Sequence, residues 1–332
     1  MTKTDLVREY IVKYLEIYKS TNRQFSKRYL ATVIFNEHPD LFPDIESIRS
    51  TIRKILDSSG TASTKNVSID LELREQFAFL NNPITDTPNI EPFIFPKTND
   101  KILIIADLHS IFYDKEALLA ALEYGKKSGV NSVLINGDFL DFYGQSKFNK
   151  NPRITAKFIE EEQEWGVEML SLLQREFGYV VYKAGNHDVR RENQIFMSTL
   201  VDPSISTSLS DYLHFDGSTI HFVEDYRIVK MGKLNAIHGH EVGMSGMINP
   251  ALNIIRKTFD NTISGHSHMK QEYPLKNMDG KLFMSYKVGC LCGLNPRYAP
   301  INNWQQGCAK VEIFDDGYFL VDNKIIDKGR IY

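Results

Sequence analysis

The stretch Lys101-Ile102-Leu103-Ile104-Ile105-Ala106-Asp107-Leu108-His109 decides the fold of this chain. An unbroken apolar run, Ile102 to Ala106, ends abruptly in an aspartate and a histidine. Continuous apolar runs of this kind read as strands buried on both faces. The pattern recurs downstream. Ser132 to Asn136 leads into Gly137-Asp138-Phe139-Leu140-Asp141, and Tyr179 to Ala184 into Gly185-Asn186-His187-Asp188. Leu234 to Ile237 then leads into His238-Gly239-His240, and Asn261 to Ser264 into Gly265-His266-Ser267-His268.

Between these strands, Lys115 to Lys127 and Arg153 to Phe177 read as helices. Strand-helix alternation favours right-handed crossovers and a mainly parallel central sheet. Open sheets covered by helices carry their ligands beyond the carboxyl ends of the strands. The Asp, Asn and His residues are therefore expected to converge in one crevice. A carboxylate there can bridge two divalent ions about 3.5–4 Å apart. Mixed imidazole and carboxylate donors suit manganese, iron, zinc or nickel better than calcium or magnesium.

At these residues the chain resembles the calcineurin-like metallophosphoesterases, whose pattern is D-x-H, G-D-x-x-D, G-N-H-[DE], a histidine, then G-H-x-H. Every block is present in order, over roughly residues 100–327. The resemblance implies an α/β fold, a two-sheet β-sandwich flanked by helices. It implies two divalent metal ions, with manganese expected and iron, zinc or nickel as alternatives. Asp107, His109 and His268 would hold the first ion, and Asn186, His238 and His266 the second, with Asp138 bridging. His240 is the alternative to His238. The implied reaction is in-line hydrolysis of a phosphate mono- or diester. His187 would be the general acid and Asp141 the carboxylate that orients it and keeps it protonated near neutral pH, with a helix-start role the alternative for Asp141. Asp188 reads as the cap of the following helix.

Two departures narrow the family reading. Phe142-Tyr143 stands where the resembling protein phosphatases carry Arg-Gly, and Asp188 where they carry Glu. A phosphoprotein phosphatase is thereby disfavoured. Arg190 and Arg191 are candidates for binding a second phosphate or a nucleic-acid backbone, with a solvated helix face as the alternative. Arg297 and Tyr298, with Trp304, lie in a loop suited to clamping a base or sugar, with an ordered structural loop as the alternative. These features favour nucleic acid or a nucleotide as substrate, hence a nuclease. A non-catalytic binding or scaffold protein on the same fold is the competing class.

The chain has 332 residues and a net charge of −3, enough for about two domains and without a global nucleic-acid footprint. No apolar run long enough to span a membrane is present, and the amino terminus lacks the apolar core of a secretory signal. A cytoplasmic protein is expected, in a host cell if the gene is a phage's. Cys290, Cys292 and Cys308 read as buried thiols rather than a disulfide framework.

Residues 1–60 read as a small all-α module. Asp5 to Tyr18, Ser26 to Asn36 and Ile45 to Leu56 are three helical patterns, the last opened by Asp44 or Glu46. The arrangement resembles a helix-turn-helix and, more broadly, an amino-terminal module joined to phosphoesterases in phage and prophage chains. Arg49, Ser50, Arg53 and Lys54 would face nucleic acid in that reading; packing or assembly is the alternative. Residues 61–99, rich in proline, asparagine and threonine, read as a linker with a short helix at Leu71 to Leu80. Residues 100–332 form the catalytic domain. After His240, Met244 to Thr258 reads as a helix, and Tyr273 to Leu275, Leu282 to Lys287, Cys308 to Phe314 and Tyr318 to Asp322 as strands. Oligomeric state is not readable.

Overall fold

A computed structural model describes residues 2–21, 26–56, 91–146, 158–197, 208–215, 217, 219–243 and 248–332. The first part of the expected linker with its short helix, the start of the Arg153 helix and residues 244–247 lie outside the described residues. The chain divides into two compact units, Met1–Thr85 and Asp86–Tyr332.

In the first unit, α1 (Lys3–Thr21), α2 (Lys27–Glu37) and α3 (Ile45–Ile55) close around Leu6, Val7, Ile11, Leu30, Ala31, Ile34, Phe42, Ile48 and Ile52. The apolar spacing along each helix supplies this core. Ser26 caps α2 and Asp44 caps α3, each accepting a backbone N–H three residues on. Arg49 and Arg53 both pair with Glu46 of their own helix, at 3.0 and 3.2 Å.

The second unit is built on two sheets. The seven-stranded sheet has the order β13-β12-β11-β2-β3-β4-β5, and the six-stranded sheet β1-β6-β7-β8-β10-β9. In the first of these, β2 (Lys101–Ile105), β3 (Ser132–Asn136), β4 (Tyr179–Lys183) and β5 (Ile220–Val223) run parallel. An antiparallel wing extends it: β11 (Gln306–Ile313), β12 (Phe319–Asp327) and β13 (Arg330–Ile331). The sheet is thus mixed, parallel only through its middle. In the other sheet, β1 (Phe93–Ile94), β6 (Val229–Met231), β7 (Leu234–Ile237), β8 (Thr262–Ser264) and β10 (Leu282–Lys287) precede an edge strand, β9 (Gln271–Lys276). β1 lies inside the stretch read as linker, yet it pairs with β6.

Alternation along β2 explains the layering. Ile102 and Ile104 face the second sheet and pack with Leu134, Val181, Leu234, Ile263 and Val311. Leu103 and Ile105 face the opposite way, onto α4 (Lys115–Lys127) and α5 (Phe158–Phe177), with Leu118, Ala121, Leu170 and Leu173. Successive strand residues point to opposite faces, so a run apolar at every position is what a sheet covered on both sides requires. Two short helices, α6 (Arg190–Phe196) and α7 (Leu209–Tyr212), follow β4. On the outer face of the six-stranded sheet, α8 (Pro250–Thr258) buries Ile254 beside Ile237. The architecture is the expected two-sheet sandwich with helices outside. No described helix is long and apolar enough to cross a membrane.

Candidate metal centre

Five strand ends meet at one edge of the sandwich. β2 delivers Asp107 and His109, β3 Asp138, β4 Asn186 and His187, β7 His238, and β8 His266 and His268. The backbone turns there in an uncommon way. Asp107, His109, Asp138, His266 and His268 all have positive φ, between 50° and 67°. Non-glycine residues enter the left-handed region at some energetic cost, and such strain gathers at functional sites. Glycines allow the close approach. A Cβ on Gly185 would sit 2.3 Å from Asp138 Oδ1, and one on Gly265 2.5 Å from Asp107 Oδ2.

The side chains fall into two groups around Asp138. In the first, His268 Nε2 lies 3.1 Å from Asp107 Oδ1 and 3.2 Å from His109 Nε2. In the second, His238 Nε2 lies 3.2 Å from Asp138 Oδ2, and Asp138, His238 and His266 offer donor atoms within 4.8 Å of one another. Asp138 Oδ2 is also 3.9 Å from His109 Nε2, so one oxygen faces both groups. His238 is completely buried against these carboxylates, whereas His240 lies between Asp225, at 3.4 Å, and Glu241, at 3.5 Å.

A pair of divalent cations fits these residues. Asn186 Oδ1 and His238 Nε2 are buried without any hydrogen-bond partner, and both belong to the expected ligand set. Buried polar atoms are normally paired, and a cation would satisfy both. The electrostatics agree. Burial disfavours charge on His109 and His238, but hydrogen bonding to Asp141 in one case and the Asp138 charge in the other raise them to about 9. Burial raises the Asp107 carboxyl, His268 lowers it, and it settles at about 2. Such a pocket demands positive charge, which metal ions supply in place of protons.

The outward ring nitrogens are also held. His109 Nδ1 donates to Asp141 Oδ1 at 2.9 Å, and His238 Nδ1 to the Asn136 carbonyl at 2.8 Å. For His268 the neighbour is Cys292 Sγ, 3.9 Å from Nδ1. All three cysteines are free and buried.

His187 Nδ1 donates to the same Asp141 oxygen at 2.8 Å. Its pKa does not show the expected rise. Burial and the neighbouring His109 charge outweigh the pull of Asp138 and Asp141, leaving the His187 pKa below its ordinary value. Arg190 moreover donates to His187 Nε2 at 2.7 Å, which requires a lone pair there. Asp188 departs from expectation too: α6 has no side-chain cap. The Asp188 carboxylate accepts instead from Gly185 N at 2.7 Å, Leu140 N at 2.8 Å and the Tyr182 hydroxyl at 2.7 Å, tying two ligand loops together.

The basic pair divides. Arg190 reaches into the site, while the Arg191 guanidinium lies 4.9 Å over the Tyr212 ring. Trp304 packs edge-on against His268, with centroids 4.1 Å apart, and Tyr298 follows at 6.1 Å. Tyr298 is 75 % exposed and Arg297 beside it is exposed. A cleft of about 420 Å³ beside Trp304 is lined by Ile248, Met269, Lys270, Asn303 and Gln305.

Sequence reasoning missed several supports. Glu162 of α5 is buried and accepts from Asp141 N at 2.7 Å and Phe142 N at 2.9 Å; Ser110 donates to it as well. Lys287 is fully buried and donates to the Gly265 carbonyl. Lys183 is buried beside Glu241. A signal existed for the lysines: each ends a largely buried strand. Glu162, one of a run of three glutamates, gave none.

The family model described as calcineurin-like phosphoesterase matches residues 100–270. The gene 54 protein of Mycobacterium phage L5 is 24 % identical over 227 residues, 64 % of this chain and 89 % of that protein. Among solved structures, a single mutant of Vps29 from Entamoeba histolytica covers 68 % of this chain and 99 % of its own, at 16 % identity and TM-score 0.35. Yfce, a phosphoesterase from E. coli, covers 68 % and 100 %, at 19 % identity and TM-score 0.34.

Proposed function

We propose that this chain, which belongs to the calcineurin-like phosphoesterase family, directs its metal-dependent phosphoester hydrolysis at nucleic acid or nucleotide substrates. Asp107, His109 and His268 would hold one cation and Asn186, His238 and His266 the other, with Asp138 shared. When bound, two cations, manganese by expectation, supply a nucleophile at neutral pH and neutralise charge on the phosphoryl oxygens. The chain's own residues do the rest. Arg190 offers a forked cation to a phosphate oxygen. Once Arg190 leaves its ring, His187 Nε2 would be free to take up a proton from solvent water and pass it to the leaving oxygen, with Asp141 fixing the tautomer through Nδ1.

The observation that carries the substrate class is the aromatic series His268–Trp304–Tyr298, which runs from the metal-ligating residues out to solvent. Exposed aromatic faces beside a phosphate-cleaving centre suit stacked bases. The amino-terminal module carries less of this reading, since Arg49 and Arg53 are engaged by Glu46. The phage relative agrees with action in a host cytoplasm.

A substrate panel with added manganese tests the reading: aryl mono- and diesters, cyclic nucleotides, single- and double-stranded DNA, and RNA. Turnover of a nucleic acid or nucleotide should exceed that of the aryl esters and collapse in Asp107→Asn while the fold persists. Equal turnover by wild type and Asp107→Asn would reject the metal centre. Turnover of aryl esters alone would reject only the substrate class.

A further inference from the structure

Lys183 closes β4, and its side chain is entirely buried. Its ammonium has three oxygen neighbours: Glu241 Oε1 at 3.1 Å, the Asp225 carbonyl at 2.6 Å and the Glu224 carbonyl at 3.4 Å. An ammonium has three N–H donors, so each finds an acceptor. The Glu241 side chain, 17 % exposed, is engaged in turn. Its Oε1 accepts from His238 N at 3.0 Å and its Oε2 from Gly239 N at 2.6 Å. Burial pushes the Glu241 carboxyl up, Lys183 and the nearby imidazoles pull it down, and it settles at about 2.

The pair spans the sandwich. β4 belongs to the seven-stranded sheet and β7 to the six-stranded one. Asn186 follows Lys183 by three residues, and His238 is the residue whose amide Glu241 holds. One salt bridge therefore fixes the separation between the strand ends that present these two ligands. None of its hydrogen bonds goes to Asp107, His109 or His268. A buried ion pair adds little net stability over an apolar pair, although breaking it by removing one partner is disruptive. Its value lies in orientation, and partners behind a metal ligand typically govern affinity by about 10–100-fold.

We infer that Lys183 and Glu241 are positioning residues for the second metal ion, setting its affinity separately from that of the first. This rests on the two-cation reading above. The test uses full-length protein stripped with chelator and titrated with Mn²⁺, followed by calorimetry and by the spin-resonance signal of free Mn²⁺. Wild type should bind two ions. Lys183→Met should weaken one by about 10–100-fold and leave the other unchanged. Glu241→Gln should act in the same direction but less, because its amide oxygen still accepts one backbone N–H. Thermal unfolding without metal accompanies each titration, and Glu241→Gln carries the test if Lys183→Met does not fold. Equal weakening of both ions in step with lost stability, or no change in either, would overturn the inference. A wild type that binds fewer than two ions would instead remove the two-cation reading beneath it.

Discussion

Arg190 Nη2 donates to His187 Nε2 at 2.7 Å, while Arg190 Nη1 donates to the Asp141 carbonyl at 2.9 Å. The imidazole is thus held at both nitrogens, by Asp141 on one side and by Arg190 on the other. The same guanidinium would be available to an arriving phosphate. In the proposed reaction substrate and imidazole would compete for it, and substrate binding would uncover the ring nitrogen proposed to handle the proton. One residue would then couple recognition to release of the proposed acid-base group.

Replacing Arg190 separates these roles. Arg190→Met removes a charge-assisted contact, of the kind that contributes about 1.5–3 kcal/mol, so kcat/KM should fall roughly 10–100-fold, mainly through KM. Arg190→Lys restores the charge but not the fork, and recovery should be partial. Arg191→Met, on the Tyr212 side, should leave KM for a small diester unchanged. Steady-state kinetics on an aryl phosphodiester decide this; an unaffected Arg190→Met enzyme would remove Arg190 from the substrate site.

The close approach at Gly185 offers a sharper lever on the bridge. A methyl group there would meet Asp138 Oδ1 at 2.3 Å and Asp138 N at 2.4 Å, and the obstruction includes backbone, which cannot rotate away. Gly185→Ala should therefore displace Asp138 and lower binding of both ions, unlike the selective loss expected at Lys183. Metal content after dialysis against excess Mn²⁺ measures it. Two ions retained at wild-type affinity would show that the loop can yield and that Asp138 is less confined than its surroundings imply.

Much of this arrangement is legible in the sequence because the physics is local. Ile102 to Ala106 and Val133 to Ile135 are apolar at every position, and each run gives way at once to an acid or an amide. β1, β5 and β6 are harder to read: Phe93–Ile94 sits among prolines, and Ile220–Val223 and Val229–Met231 are short and mixed in polarity. The left-handed backbone at Asp107 or His268 is uncommon for any non-glycine residue, though Asp and His tolerate it better than most, and no local pattern in the sequence marks it. Arg190 and Arg191 look equivalent in one dimension. Adjacent helix residues point about 100° apart, and that rotation sends one into the centre and the other onto Tyr212. Glu162, and the pairing of Glu241 with Lys183, act across sequence distances that no local pattern records.

Away from the centre, the staple between α4 and β12 predicts a pH effect. The Tyr124 hydroxyl donates to Asp322 Oδ2 at 2.5 Å, and Lys324 Nζ lies 3.2 Å from Asp322 Oδ1. Burial raises the Asp322 carboxyl, but these two partners outweigh it and hold it below its ordinary value. A carboxyl whose pKa falls on folding contributes stability above its unfolded pKa, about 3.9, and loses that contribution as pH drops through the lower folded value. Asp322→Asn should therefore unfold at lower urea concentration than wild type at pH 7. The gap between the two midpoints should begin to narrow as pH falls below about 4, where the unfolded carboxyl protonates, and close as pH passes through the lower folded value. Tyr124→Phe should show the same closing gap with smaller amplitude, since it leaves Lys324 in place. Urea midpoints at several pH values between 7 and 3 test this, and a gap independent of pH would mean that Asp322 contributes by packing rather than by its charge.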